Sequence, residues 1–324
     1  MILSTIARVF GIGCTAALFA SAALAQTYPT KPIKILVGYS AGGGADTLAR
    51  QYAAKLQDIL NTPVIVENKP GAYELIAAQG LLAAPPDGYT LWLATTGSLV
   101  QGPSVRSMPY DPVKSFTYVG RIGEVEAVFA VKKGFPATSF SELITYAKAN
   151  PGKVNYGSAG VGAPNHLLTE YISYLTGVNM THIPFKSDAD VAREIAGGTL
   201  DFAAAIPSML VPFVNDGKMN AIAVTGSQRL KVLPNTPTFA EGSIPELKSL
   251  SVYAFYGVVG PAGMPPDVTK TLNEALNKVA KMPDIVQRFD ALSVKLTTST
   301  PTEFRQYVEK ELNVWSEVAK KIKL

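Results

Sequence analysis

Apolar and polar positions along this chain switch repeatedly between a strand period and a helix period. Ile33-Lys34-Ile35-Leu36-Val37, opened by Pro32, has the apolar continuity of a buried strand over residues 31–37. A loop of small residues follows, Gly38-Tyr39-Ser40-Ala41-Gly42-Gly43-Gly44-Ala45. Asp46 is then placed to N-cap a helix that carries Leu48, Tyr52, Leu56 and Ile59 on one face. Val64-Ile65-Val66 predicts a second strand, residues 74–84 a second helix, and Thr90-Leu91-Trp92-Leu93-Ala94 a third strand after the Asp87-Gly88 turn. Strands alternating with helices in this way predict α/β architecture with parallel sheets.

The alternation resumes beyond an irregular stretch at 103–112. Residues 128–131 read as a strand. Ser139-Phe140-Ser141-Glu142 is a capping box before Leu143, Ala147 and Ala149, and Pro151-Gly152 ends that helix. Further strands are expected at 155–156, 202–206 and 221–225, with a helix over 164–175. Thr300-Pro301-Thr302-Glu303 combines a capping box with proline at the first helical position. It opens a long amphipathic helix marked by Phe304, Tyr307, Val308, Leu312, Trp315, Val318 and Ile322. Residues 118–126 and 250–261 read as irregular crossovers. They suggest a discontinuous first domain, 26–124 plus 253–324, and a second domain, 125–252.

Length and composition agree with two globular domains. The chain has 324 residues, 47% hydrophobic and 17% charged, and each half can bury a substantial core. A net charge of +4 with no basic cluster gives no nucleic-acid footprint. One cysteine and two histidines exclude a disulfide framework and a thiolate zinc site, and no metal or cofactor motif is found. The first 25 residues carry a single charge, Arg8, then an apolar run ending in Ala23-Leu24-Ala25. This predicts a secretory signal cleaved near Ala25, which would remove Cys14 and deliver a periplasmic chain.

Candidate chemistry sits in the loops after the strands. In α/β sheets ligands bind beyond the carboxyl ends of the strands, where a helix N-terminus offers unpaired amides. The loops are 39–46, Thr95-Thr96-Gly97-Ser98, Ser158-Ala159-Gly160-Val161-Gly162 and Pro207-Ser208. Any one of them alone reads first as an ordinary tight turn. Four, divided between the two halves, predict a cleft that grips an anion from both sides. His166 either donates to a ligand carboxylate or orders its glycine loop. His182 reads as structural, and Arg50 as an intradomain ion-pair partner. A competing reading is a secreted serine esterase, because Gly38-Tyr39-Ser40-Ala41-Gly42 matches the nucleophile-elbow pattern. Against it, neither histidine lies late in the chain, where the hydrolase order would put one.

A family resemblance adds to this. Tyr28-Pro29-Thr30-Lys31-Pro32-Ile33, Val66-Glu67-Asn68-Lys69-Pro70-Gly71-Ala72, Pro86-Asp87-Gly88-Tyr89-Thr90-Leu91 and His182-Ile183-Pro184-Phe185-Lys186 occur in the order seen in the Bug family. Tyr156-Gly157-Ser158-Ala159-Gly160 and Pro261-Ala262-Gly263 extend the resemblance over nearly the whole chain after residue 25. These are extracytoplasmic solute receptors of tripartite tricarboxylate transporters. The resemblance implies a Venus-flytrap fold of two α/β domains and a monomeric, non-enzymatic receptor. It would bind a small carboxylate and hand it to membrane permease subunits. It implies that Tyr39, Ser40, Ala41, Gly42, Gly43, Asp46, Thr96, Gly97 and Ser98 line one side of the cleft. Ser158, Ala159, Gly160, Gly162 and His166 would line the other, with Ala205 and Ser208 beside the strand that ends there. Departures from the family pattern fall at Tyr73-Glu74, where two glycines are usual, at Ser187, at Ala205 and at Phe255. Tyr73 and Glu74 at the cleft rim suggest an aromatic, amide-bearing or hydroxyl-bearing carboxylate rather than a short diacid.

Overall fold

The structure is a computed structural model and describes residues 28–71, 74–248, 250 and 254–322. The expected signal segment and Tyr73 lie outside the described residues. The chain forms two sheets, each with flanking helices, giving two lobes.

The first sheet is built from β1 (Ile33–Val37), β2 (Val64–Asn68), β3 (Thr90–Thr95), β4 (Phe116–Val125), β10 (Ala254–Pro261) and β11 (Val294–Leu296), in the order β11-β4-β10-β3-β1-β2. β1 lies parallel to β2 and β3, with α1 (Gly44–Leu60) and α2 (Leu75–Leu82) as the crossovers. The apolar continuity of β1 follows from this cover, since Ile33, Ile35, Leu36 and Val37 are all buried.

The second sheet has the order β7-β6-β8-β5-β9. Its strands are β5 (Val128–Lys132), β6 (Asn155–Ser158), β7 (Thr181–Pro184), β8 (Phe202–Ala205) and β9 (Met219–Val224). Its helices are α4 (Phe140–Ala149), α5 (Pro164–Thr176), α6 (Asp188–Gly197) and α7 (Pro207–Asn215), after the short α3 (Gly102–Val105) of the first lobe. The C-terminal part adds α8 (Pro266–Val279), α9 (Pro283–Ala291) and α10 (Pro301–Lys321). Thr300 caps α10 reciprocally with Glu303, as the sequence predicts.

The expectation of parallel sheets needs correction. β10 runs antiparallel to β3 and β4, and β5 antiparallel to β8 and β9. The reason is topological. β1, β3, β6 and β8 end at the boundary between the lobes, whereas β5 and β10 begin there, straight after the chain has crossed over. Only Glu126 and Ala127 separate β4 from β5. The stretches read as irregular are also corrected, because most of each is strand. Their glycines obscured the pattern. Gly257 and Gly260 interrupt β10 because other side chains take the space: a β-carbon there would lie 2.1 Å from Phe304 Cζ and 2.0 Å from Met264 Sδ. Phe304 is fully buried in that notch, edge-on to Tyr118 and Phe255 at 4.9 and 5.6 Å, and so fastens α10 to the first sheet.

Candidate functional site

A cavity of about 180 Å³ lies where the two lobes meet. From the first lobe its walls include Tyr39, Gly43, Gly44, Thr95, Gly97 and Tyr256. From the second they include Pro164, Asp188, Ile206 and Met209. Larger grooves of about 680 and 850 Å³ exist elsewhere, but they lie along the first lobe alone. The smaller cavity is the candidate because strand C-termini and helix N-termini converge on it. The lobes are close here: a β-carbon on Gly97 would lie 3.6 Å from Pro164 Cγ, and one on Gly44 3.9 Å from Ile206 Cδ1.

The 39–46 loop is held by Asp46, which is buried. The N-cap of α1 is Gly43, not Asp46, and it makes no side-chain cap. Asp46 lies within the first turn, where its Oδ2 accepts from Gly42 N–H at 2.9 Å and Arg50 Nε–H at 3.0 Å. Its Oδ1 accepts from Asn68 Nδ2 at 2.9 Å. Burial alone would raise the Asp46 pKa, yet the hydrogen bonds from Arg50, Gly42 and Asn68 hold it below the usual range. Asp46 is thus the keystone of the loop and does not line the cavity. Arg50 is the ion-pair partner the sequence suggests. The first-turn amides of Gly44 and Ala45 have no intrahelical acceptor, and they stand beside the cavity. Ser40, Ala41 and Gly42 are exposed at its margin.

Gly97 opens a turn of π-helix, Gly97–Gln101, a rare form that is frequent at functional sites. Thr96 and Ser98 are buried and spent on the fold. Thr96 Oγ1 accepts from Phe255 N–H at 2.7 Å, and Ser98 Oγ donates to Thr95 O at 3.1 Å.

Glu74 departs most from expectation. It sits in the left-handed region (φ 68°) and is only 2% exposed. Its side chain folds beneath the 39–46 loop, behind the cavity wall rather than on it. Its Oε1 accepts from the Tyr39 hydroxyl at 3.1 Å and from the Thr95 hydroxyl. Its Oε2 has no hydrogen-bond partner. Burial raises its pKa to about 7, against the hydrogen bonds from Thr95 and Tyr39. Tyr39 is 40% exposed as a residue, but its hydroxyl end is enclosed and its pKa is pushed well above 10 by burial and then by Glu74.

In the second lobe, Ser158, Ala159, Gly160 and Gly162 form the turn between β6 and α5. Gly160 and Gly162 have φ of 119° and 77°, which only glycine adopts readily. Ser158 is fully buried, with Oγ 2.6 Å from His182 Nε2. His166 Nδ1 accepts from Gly162 N–H at 2.9 Å, and its ring stacks on His182 at 3.9 Å. Burial, and then His182, lowers the His166 pKa to about 4, so the ring is neutral at ordinary pH. Of the two roles open to His166 in the sequence, loop ordering is the one its contacts show. Ala205 is buried in the lobe core, and Ser208 is exposed on the second residue of α7. Their neighbours Ile206 and Met209 reach the cavity instead.

Sequence reading missed Asp188 and Tyr256. Asp188 opens α6, and its Oδ1 accepts from Asn165 Nδ2 at 2.9 Å. Burial raises its pKa to about 6, against that hydrogen bond. A signal existed, since Ser187 and Asp190 form a capping pattern that puts Asp188 in a first turn.

The elbow reading of Ser40 fails on geometry. Ser40 is not among the positive-φ residues, so the strained turn of a nucleophile elbow is missing. Both histidines are engaged in the other lobe, His166 with Gly162 and His182 with Ser158.

Comparison with known proteins agrees. Residues 48–324 match the family described as "Tripartite tricarboxylate transporter family receptor". The chain is 31% identical to Protein BugT of Bordetella pertussis, over 99% of this chain and 98% of that one. It is similar to the solved structure of an R. palustris protein, Rpa4515, with adipate: 30% identity, TM-score 0.81, 91% of this chain and 98% of that chain. It is also similar to MatC from Rhodopseudomonas palustris with bound malate: 26% identity, TM-score 0.79, 90% of this chain and 100% of that chain. With the two-lobed fold, the cleft between its lobes and a family match that runs from α1 to the C-terminus, this chain belongs to the tripartite tricarboxylate transporter receptors and is a periplasmic solute-binding protein, not an esterase.

Proposed function

We propose that the chain captures a small carboxylate in the inter-lobe cavity and delivers it to the membrane permease subunits of a tripartite tricarboxylate-type transporter. The observation that carries this is the meeting of the α1 N-terminus, with its free Gly44 and Ala45 amides, and a cavity walled from both lobes. Such an N-terminus favours an anion without a paired arginine. The adipate and malate in similar structures support the ligand class. In this reading the domains are 26–124 with 253–324, and 125–252. The protein acts as a monomer exported by cleavage near Ala25. Neither lobe alone completes the cavity, so binding and release require a hinge motion.

A thermal-shift screen of the mature chain against mono- and dicarboxylates tests the ligand class. At least one carboxylate should raise the melting temperature in a concentration-dependent way. Stabilisation only by uncharged solutes would reject it. Scattering with that ligand should give a smaller radius of gyration than without it.

A further inference from the structure

Asp188 is the one charged side chain on the cavity wall among the described residues, and no lysine, arginine or histidine faces it there. Its setting is that of an oriented acceptor. Asn165, itself 1% exposed, accepts the backbone N–H of Ala159 and of His166 and donates to Asp188 Oδ1. Asn165 is the one hydrogen-bond partner of the Asp188 side chain among the described residues, and it bonds Oδ1, not Oδ2. The α6 N-terminus does not need this carboxylate. Ser187 Oγ accepts from Asp190 N–H at 3.2 Å and donates to Asp190 Oδ2 at 2.8 Å, which completes the cap.

A second acid stands behind the opposite wall. Glu74, 2% exposed and with Oε2 unpartnered, reaches the cavity through Tyr39 and Thr95. Tyr256, on the cavity wall, responds to both acids: burial raises its pKa to about 12, and Glu74 and then Asp188 add to that. The cavity is therefore divided. Its α1 end favours negative charge, and its Asp188 end opposes it. A ligand with a carboxylate at each end would place one of them against Asp188 with no base to offset it. A ligand whose second end is an N–H donor would meet a free carboxylate oxygen.

We propose that Asp188 is the specificity-determining residue of this cavity and accepts a hydrogen bond from a nitrogen of the ligand, which makes the ligand a small carboxylate bearing an ammonium or other N–H group in place of a second carboxylate. This rests on the carboxylate reading above and deepens it.

The test is calorimetry on the mature chain and on Asp188→Asn with two matched sets. One set is butyrate, γ-aminobutyrate and succinate. The other is benzoate, para-aminomethylbenzoate and terephthalate. The Asp188→Asn change keeps an acceptor for Asn165 but removes the charge. Wild type should bind the aminated member of at least one set about tenfold or more tighter than its dicarboxylate. In Asp188→Asn that preference should vanish or reverse. The ratio of two affinities in one preparation does not depend on the fraction folded, and Asp188→Ser serves as a second variant. Dicarboxylate preference in wild type, or an unchanged ratio in both variants while the ligands still bind, overturns the Asp188 proposal alone. Failure of all six compounds to bind wild type, when the thermal-shift screen finds a carboxylate without an N–H group, overturns this proposal alone; failure of both overturns the carboxylate reading, and this proposal with it.

Discussion

Gly38 and Glu74 compete for one volume: a β-carbon on Gly38 would lie 2.4 Å from Glu74 Cγ. The acid that the sequence places at the cleft rim is folded under the binding loop because residue 38 has no side chain. Gly38→Ala should therefore cost about 1–3 kcal/mol by overpacking. In a Glu74→Gly background the part of that cost due to the side chain should disappear, while the backbone Cα of residue 74, 2.7 Å from the same β-carbon, keeps a residual cost. Urea denaturation of the four variants measures the coupling. Equal costs in both backgrounds would show that the two residues do not compete.

The Glu74 carboxyl should make stability fall as pH rises. Its folded pKa of about 7 lies above its ordinary value of 4.5, so the folded state holds a proton that the unfolded chain has released. The penalty is absent below the ordinary value and grows as pH rises to about 7. Glu74→Gln should be more stable than wild type by about 1–3 kcal/mol near pH 8, with the gap closing towards pH 5. Unfolding at both pH values checks this, and a gap independent of pH would count against it.

His166 should act through the glycine loop and not through its charge. His166→Ala leaves the Gly162 N–H without its acceptor and should destabilise by about 1–3 kcal/mol. Amide exchange at Gly162 should quicken. Unchanged exchange would mean that the 2.9 Å hydrogen bond does not hold the loop.

Phe304 should be the costliest single truncation in α10. Its ring fills the notch over Gly257 and is fully buried, so Phe304→Ala should cost about 3–5 kcal/mol. Calorimetric melting is the check. A cost under about 1 kcal/mol would show that α10 is held elsewhere.

Much of the fold was legible in local patterns. β1, α1, β3 and the Thr300–Glu303 cap could be read because periodicity and caps are short-range signals. β4 and β10 could not, since Gly257 and Gly120 admit Phe304 and Asn273 from distant sequence. The site divides in the same way. Gly43, Gly97 and Tyr39 lie in recognisable strand-end loops and do line the cavity. Asp46, Thr96, Ser98 and Ser158 lie in the same loops but turn inward to hold them, which composition cannot reveal. Asp188 and Tyr256 reach the cavity through the packing of lobe against lobe, and no local pattern encodes that.

The most direct test of the account is a crystal structure of the mature chain grown with the carboxylate that stabilises it most. The account predicts ligand density in the inter-lobe cavity, with a carboxylate within hydrogen-bond distance of the Gly44 or Ala45 amide and the other end beside Asp188. Density for the same ligand elsewhere, with this cavity holding only water, would contradict it.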